Sequence, residues 1–564
     1  MTDIPKRSKI EAIKEKSQYL RGDLKQQLAE PTTHFPEESV QLLKFHGTYQ
    51  QDNRDLRKEL KDAGQEPDYS FMIRTRNPGG YAPAIFYLAM DRLADSLGNG
   101  TLRVTTRQGL QIHGVRKENL HSAIATINQN LGSTLGACGD INRNVMAPPA
   151  PFISRPYVIA RQTAHQIAEL LTPHSGAYYE IWQDDEKIFT SEEEVEPIYG
   201  KTYMPRKFKI AVAVSGDNSV DIYTNDLGVI PVLDKHEKLI GYNLTCGGGL
   251  AMTHAKPETF PRVADHLGFV LPEDILAAVR AVVLVQCDFG DRYNRRHARL
   301  KYLIHDQGIE WFRTKVEEYL GKPLQPWYEL PSWEFQDYLS WHSQGDGKFF
   351  LGISIQNGRI KDDETIRLKS ALRQIVECFR LNLHLTPSQN VLLVGILPEQ
   401  RLPLEEILYS CGVPSLEQVS NVKRYSMACP ALPTCGLALT ESERVLPGVI
   451  EEFEAKLAYL GLQDEKISIR MTGCPNGCAR PYMGEIGLVG SGIDAYNIYL
   501  GGNLSCTRLN QLYQQKVKRD EILTVLEPLL LYFKQDRLPK ESFGDFCLRK
   551  GSDDLHQVGH SRLR

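Results

Sequence analysis

Long apolar runs are missing from this chain of 564 residues. Its most apolar stretch, Ile275 to Cys287, is broken by Arg280 and is too short to cross a bilayer. Net charge is nearly missing as well. The 66 Lys and Arg against 70 Asp and Glu leave −4, which argues against nucleic acid or an anionic membrane as partner. Cysteine is sparse, with 11 residues, which excludes a disulfide scaffold. No G-x-G-x-x-G follows a strand pattern, so no flavin or nicotinamide module is visible. The N-terminus, Met1 to Arg7, has no apolar segment and carries an acidic residue, unlike a secretory leader or transit peptide, so a cytoplasmic protein is expected. The rest is ordinary: 41% hydrophobic and 24% charged residues, in a length that calls for about two to four domains.

Four of the cysteines are not scattered. Cys429-Pro-Ala-Leu-Pro-Thr-Cys435 is answered 39 residues later by Cys474-Pro-Asn-Gly-Cys478. Two tight clusters, C-x5-C and C-x3-C, suit the four thiolates of a cubic iron–sulfur cluster. Tetrahedral zinc is the alternative, although it favours narrower pairs.

The chain also repeats itself. Residues 8 to 61 are polar with helical periodicity, and read as an N-terminal arm. From Tyr69 the pattern becomes strand, Pro78-Gly-Gly turn, helix over Ala84 to Leu97, then two strands around Gln108-Gly109. The same succession returns as a strand from Phe349, an Asn357-Gly turn, a helix over Ile366 to Leu381, and two strands around Gln389. Thr105 and Gln108 align with Thr386 and Gln389. Farther on, Asn225-Asp-Leu-Gly and Tyr242-Asn-Leu recur as Gly484-Glu-Ile-Gly and Tyr496-Asn-Ile. An internal duplication with pseudo-twofold symmetry follows, of α+β class, each copy having a small ferredoxin-like unit and a larger α+β unit. Only the second copy holds the four cysteines, while the first has Cys138-Gly-Asp-Ile-Asn-Arg143 and Arg206-Lys-Phe-Lys209.

Met471-Thr-Gly-Cys-Pro-Asn-Gly-Cys-Ala-Arg-Pro-Tyr482 resembles the second cluster motif of the sirohaem-containing sulfite and nitrite reductases, and the likeness extends along the whole chain. The resemblance implies a [4Fe-4S] cluster on Cys429, Cys435, Cys474 and Cys478, with Cys478 also ligating the sirohaem iron. It implies an arm over residues 1–64, paired ferredoxin-like units over 65–135 and 333–405, a sirohaem and substrate domain over 136–332, and a cluster domain over 406–564. Arg103, Arg107, Gln111 and His113, along a strand–turn–strand, match positions that bind the haem carboxylates, as do Lys301, Asn476 and Arg480. Strand alternation is expected to put Arg103 and Arg107 on one face, with Gln111 and His113 together on another.

Arg74, Arg143, Lys207 and Lys209 match the family's anion-binding set. Lys207 and Lys209 stand two apart on a strand pattern, so their ammonium groups point the same way, which is unfavourable unless an anion sits between them. The implied reaction is the six-electron reduction of sulfite to sulfide, with the lysines as proton donors. With no built-in reductase module, the donor must be external. Pro539-Lys-Glu-Ser-Phe-Gly-Asp-Phe-Cys, Gly136-Ala-Cys-Gly-Asp and Ala479-Arg-Pro-Tyr-Met are similar to the ferredoxin-dependent branch. Reduced ferredoxin is expected to dock on a basic patch near the cluster edge that includes Lys540, or Lys516 and Lys518. A ferredoxin–nitrite reductase is the alternative enzyme, in which asparagine typically replaces the lysine at 209. A non-catalytic iron–sulfur or zinc protein is the alternative from another class. Tyr69 and Cys138, each five residues before one of the site arginines, are expected to meet beside the substrate and to be capable of cross-linking.

Overall fold

The computed structural model describes residues 7–182 and 196–562. Met1 to Lys6, on which the leader reading rests, and 183–195, inside the expected sirohaem domain, lie outside the described residues. Two five-stranded sheets form the paired small units. The first runs Thr48–Asp52, Tyr69–Arg74, Leu110–Val115, Leu102–Val104 and Arg359–Ile360. The second runs Ser340–Ser343, Phe349–Ile353, Val391–Ile396, Asn382–Leu385 and Tyr81–Ala82. The last strand of each comes from the other half of the chain. Arg359 pairs with Arg103, and Ala82 with Leu383.

Two glycines make this exchange possible. A Cβ on Gly80 would lie 2.3 Å from the Leu385 carbonyl, and one on Gly358 would lie 2.3 Å from the Val104 carbonyl. Both have positive φ, +81° and +75°, so each position needs glycine for conformation and for space. The helices that cover the sheets, Ala84–Ser96 and Leu368–Phe379, pack on each other across the pseudo-twofold.

The arm is not separate from these units. Its strand Thr48–Asp52 is the edge of the first sheet, with Thr48 opposite Ile73. Its helix Lys9–Lys16 buries Glu11 and Lys14 to 1% exposure, a cost that only specific partners can offset.

The larger units repeat a second motif. Strand Ile210–Val212 runs parallel to Leu227–Leu233, which turns back through Leu239–Cys246 to Asp265–Val270. In the second copy, Ile469–Thr472 runs parallel to Ile486–Gly492, followed by Ala495–Leu500 and Gln511–Lys518, with Met427–Ala428 added on the other side. The connection inside each parallel pair holds one non-glycine residue in the left-handed region, Asp221 (φ 49°) and Arg480 (φ 55°), each opening a single 3-10 turn. These two equivalent residues are ion-paired to each other, Arg480 Nε to Asp221 Oδ2. The second larger unit has its own apolar core, built on helices Leu446–Leu460 and Ile522–Asp536. Among the described residues no helix is long and apolar enough to cross a membrane.

Candidate active site

The cysteine loops leave one end of one sheet. Met427–Ala428 and Ile469–Thr472 are parallel neighbours, Ala428 beside Met471. The chain therefore reaches Cys429 and Cys474 on the same side, as parallel strands require. The Gly473 amide donates to Cys429 Sγ at 3.4 Å, and Asn476 Nδ2 donates to Cys474 Sγ at 3.7 Å. Cys429 and Cys474 are buried, Cys435 is half-buried and Cys478 is exposed. Burial, then repulsion from the Cys478 thiolate, pushes the Cys429 thiol far up and the Cys474 thiol up to about 12. Cys435 is raised by the same two causes in the same order. The four sulfurs are close enough to repel as thiolates, so holding them ionised needs positive charge among them. Among the described residues, no three His, Cys, Asp or Glu side chains gather around a single ion.

Arg103 and Gln111 are direct partners across an antiparallel pair, Gln111 is likewise opposite Arg74, and Arg103 is opposite Arg359. Residues opposite each other share a face. Arg74, Gln111, Arg103 and Arg359 thus form one row across the sheet. This corrects the expected grouping: Arg103 shares its face with Gln111, and Arg107 lies beyond the strand, in the Thr105–Gly109 turn. With its oxygen turned toward Arg74, the Gln111 amide accepts from Arg74 Nε at 2.9 Å and Nη2 at 2.6 Å. Arg103 is bound to Glu443 and to the Ala428 carbonyl (2.7 Å), and Arg359 Nε reaches the same Glu443 at 2.7 Å. His113 lies near this row, with neither ring nitrogen partnered among the described residues. Burial and the charges of Arg359, Arg103 and Arg74 keep its imidazole neutral, well below its usual range.

Arg107 donates to Asn225 Oδ1 (2.9 Å) and to the Asn144 and Ile210 carbonyls (2.5 and 3.0 Å), leaving its buried Nε without a partner. Burial first, then Arg143, lowers its guanidinium to about 9. Asn142 forms a parallel bridge with Phe208, and the Arg143 amide donates to the Phe208 carbonyl at 2.8 Å. That bridge brings Arg143 to the Lys207–Lys209 segment. Phe208 is buried at 1%, and alternation turns both lysines the other way. Neither ammonium group has a hydrogen-bond or ion-pair partner among the described residues. Burial, with Arg206, Arg299 and Arg143 nearby, lowers Lys207 to about 7. Burial and then Lys207 itself hold Lys209 well below the usual lysine range.

One cleft joins the two halves. It is lined by Arg107 and Lys209 from the first copy and by Asn476, Cys478 and Arg480 from the second. The Thr106 hydroxyl, beside Arg107, donates to the Cys478 carbonyl at 3.0 Å, and Arg480 donates to the Thr106 carbonyl at 3.0 Å. Lys301 stands one layer back. Its ammonium donates to the carbonyls of Gly249 (3.2 Å), Ala251 (2.7 Å) and Phe260. Ala251 lines the cleft, so Lys301 supports the wall.

Tyr69 and Cys138 do not meet. Tyr69 stacks on His34, ring centroids 4.7 Å apart, at the far end of the strand from Arg74. The tyrosine beside Cys138 is Tyr49, and Arg74 Nη1 donates to Cys138 Sγ at 3.1 Å. Lys516 and Lys518 belong to Gln511–Lys518, three strands across the sheet from the one leading to Cys474. The basic residue at the cluster loop is Arg54, whose Nη1 donates to the Cys435 and Ala438 carbonyls at 3.0 and 2.6 Å. Beside it, Leu437 is 67% exposed. Sequence reasoning also missed Glu443, Arg359, Asp140 and Asp226, which accepts from the Lys209 amide at 2.9 Å and from Arg299 Nη2 at 2.8 Å; their roles depend on contacts between distant segments.

The residues fit an anionic macrocycle and a cluster. Among the described residues Arg107 keeps an orphaned donor, His113 has neither ring nitrogen partnered, two lysines are unpaired, and the cysteines repel one another once ionised. A family model described as the nitrite and sulphite reductase 4Fe-4S domain matches residues 163–324 and 420–563, and one described as the nitrite/sulfite reductase ferredoxin-like half domain matches 63–130 and 342–411. The chain is 52% identical over 574 residues to a ferredoxin sulfite reductase of Synechococcus elongatus, covering 99% of this chain and 91% of the relative. It is 44% identical over 548 residues to an NADPH sulfite reductase hemoprotein beta-component of Staphylococcus saprophyticus, covering 97% and 96%. The solved structure of the Mycobacterium tuberculosis NirA protein has the same fold, with a TM-score of 0.80 over 98% of both chains at 22% identity.

Proposed function

The chain belongs to the nitrite and sulphite reductase family, and on that premise we propose how its residues serve a ferredoxin-dependent sulfite reductase. The reaction is the assimilatory six-electron reduction of sulfite to sulfide. When bound, sirohaem and a [4Fe-4S] cluster would supply the redox chemistry, while the protein supplies orientation, charge and protons. The observation that carries the reading is the single cleft where Lys209 and Arg107 of one copy face Cys478 of the other.

Cys429, Cys435, Cys474 and Cys478 would hold the cluster, and Cys478, the most exposed of them, would also serve the sirohaem. Arg107, Gln111, His113, Asn476 and Arg480 take the haem carboxylates. Arg103 belongs to the same set while sharing Glu443 with Arg359, and Lys301 acts through the Ala251 carbonyl. Arg74, Arg143, Lys207 and Lys209 hold the substrate oxygens and stabilise the negative charge that accumulates on them. Lys207, lowered to about 7, is matched to proton transfer near neutral pH. Lys209 favours sulfite over nitrite, since a dianion uses a second ammonium that a monoanion does not.

The domain reading keeps 65–135 with 333–405, 136–332, and 406–564, with residues 1–64 as an arm that lends its last strand to the first small unit. The protein acts in the cytoplasm, and its partners are sulfite and reduced ferredoxin, without nucleic acid or membrane. The test is the absorption spectrum of the purified protein with iron and acid-labile sulfide assays, followed by sulfite turnover with reduced ferredoxin and with NADPH. A colourless protein refutes the class. Turnover of nitrite alone refutes the substrate.

A further inference from the structure

A second set of charges lies outside the four substrate cations. Asp140 is 2% exposed. Its carboxylate accepts from Arg295 Nη1 at 2.7 Å and Nη2 at 3.0 Å, with Lys14 Nζ and Arg206 Nη1 each at 3.6 Å. The inner side of this cluster is closed. Lys14 pairs with Glu11 and donates to the Met204 carbonyl at 2.8 Å, while Arg292 pairs with Glu11 at 2.5 Å. The outer side is open. The Arg206 and Arg295 side chains remain 31% and 28% exposed.

Lys44 joins them from the arm. Its neighbour Phe45 accepts from the Gly136 amide at 2.8 Å and lies so close to Gly139 that a Cβ there would be 2.7 Å from the ring. The loop carrying Asp140 is therefore pressed against the segment carrying Lys44. The Lys44 ammonium is held by the neutral Gln41 Oε1 at 2.7 Å. Burial and the charges of Arg295, Arg206 and Arg143 lower it to about 8. Asp140 is thus shared among more cations than one carboxylate can neutralise. Arg206 adjoins Lys207 in the chain, and Lys207 and Lys44 each feel both Arg206 and Arg143.

We propose that Lys44, Arg206 and Arg295 form an outer anion subsite that captures sulfur oxyanions from solvent and passes them inward to Arg143 and Lys207. The proposal rests on sulfite being the substrate. Asp140 fixes the Arg295 guanidinium through both terminal nitrogens and holds that of Arg206 at 3.6 Å, and the N–H groups these two leave over are charge-assisted donors suited to an oxyanion. A recessed positive mouth focuses field and raises the local concentration of anions. A protein partner is the poorer fit, because two of the three cations are more than two-thirds buried.

The experiment uses the holoenzyme and its Lys44→Gln, Arg206→Gln and doubly substituted forms. The rate of the haem absorbance change on mixing with sulfite is followed against ionic strength. Carbon monoxide binding to the reduced enzyme is the uncharged control. Each single substitution is expected to slow sulfite association about three- to tenfold at low salt, with convergence on wild type at high salt. Lys44→Arg is expected to restore the rate, and carbon monoxide association is expected to stay at the wild-type rate. Unchanged sulfite association would overturn the subsite. So would an equal slowing of carbon monoxide, or a loss seen only when ferredoxin replaces a small chemical donor, since these mark a structural change and a protein dock. A wild type that shows a haem band and turns sulfite over keeps the function intact while the subsite fails. A wild type without that band overturns both.

Discussion

Replacing Lys209 by Asn gives a change in proton uptake that follows from both lysines being lowered in the free site. Lys209 feels Lys207 strongly and lies well below the usual range, whereas Lys207 is lowered to about 7 chiefly by burial and three arginines. Both ammonium forms are therefore disfavoured in the free site. A bound dianion stabilises both ammonium forms and draws both pKa values up. Binding above neutral pH then takes up about two protons in the wild type and about one in the variant. The sign follows directly: the complex binds more protons than the free site, so affinity falls as pH rises. Each proton taken up is worth about tenfold in affinity per pH unit. Between about pH 8 and pH 9, sulfite affinity should fall about a hundredfold in wild type and about tenfold in Lys209→Asn. Nitrite, with one charge, should show about the tenfold slope in both. The sulfite kcat/KM of the variant should drop about ten- to a hundredfold, about 1.4–3 kcal/mol, with a smaller loss on nitrite. The assay is a haem-absorbance titration of both anions at several pH values, with turnover driven by a chemical donor so that docking does not enter. Equal sulfite slopes in wild type and variant would refute proton uptake by Lys209. Equal kcat/KM losses on both anions would remove Lys209 as the residue that reads the substrate.

Cys478→Ser should abolish both the cluster signal and the coupled haem spectrum, and a normal cluster with intact sulfite reduction would refute the shared thiolate. Glu443→Gln leaves Arg103, whose side chain is 2% exposed, without its carboxylate, and should cost about 3 kcal/mol or more in a denaturant melt; an unshifted midpoint would show that Arg103 finds another anion. Ferredoxin-linked turnover should weaken with rising salt through screening. Leu437→Glu, at the exposed edge of the cluster loop, should lower that turnover several-fold while sparing turnover with a chemical donor; the same loss with both donors would mean that the cluster itself is disturbed.

Local order in the chain was enough for much of this. The two cysteine pairs are legible because their spacing is set by the loops that hold them. The duplication is legible because strand alternation and turn glycines repeat, and strands such as Tyr69–Arg74 and helices such as Ala84–Ser96 stand where their periodicity puts them. Tertiary structure decided what depends on pairing between distant segments. Arg359 enters the Arg74–Gln111–Arg103 row only because the two halves exchange strands, and no local pattern encodes that. Tyr49 stands beside Cys138 only because the arm supplies a sheet edge. Lys207 and Lys209 look alike in sequence, yet both are lowered by burial and by Arg299, with Arg143 acting on Lys207 and Arg107 on Lys209, all from remote parts of the chain. A residue's type is local and can be read directly, while its electrostatic environment is a sum over everything folded around it.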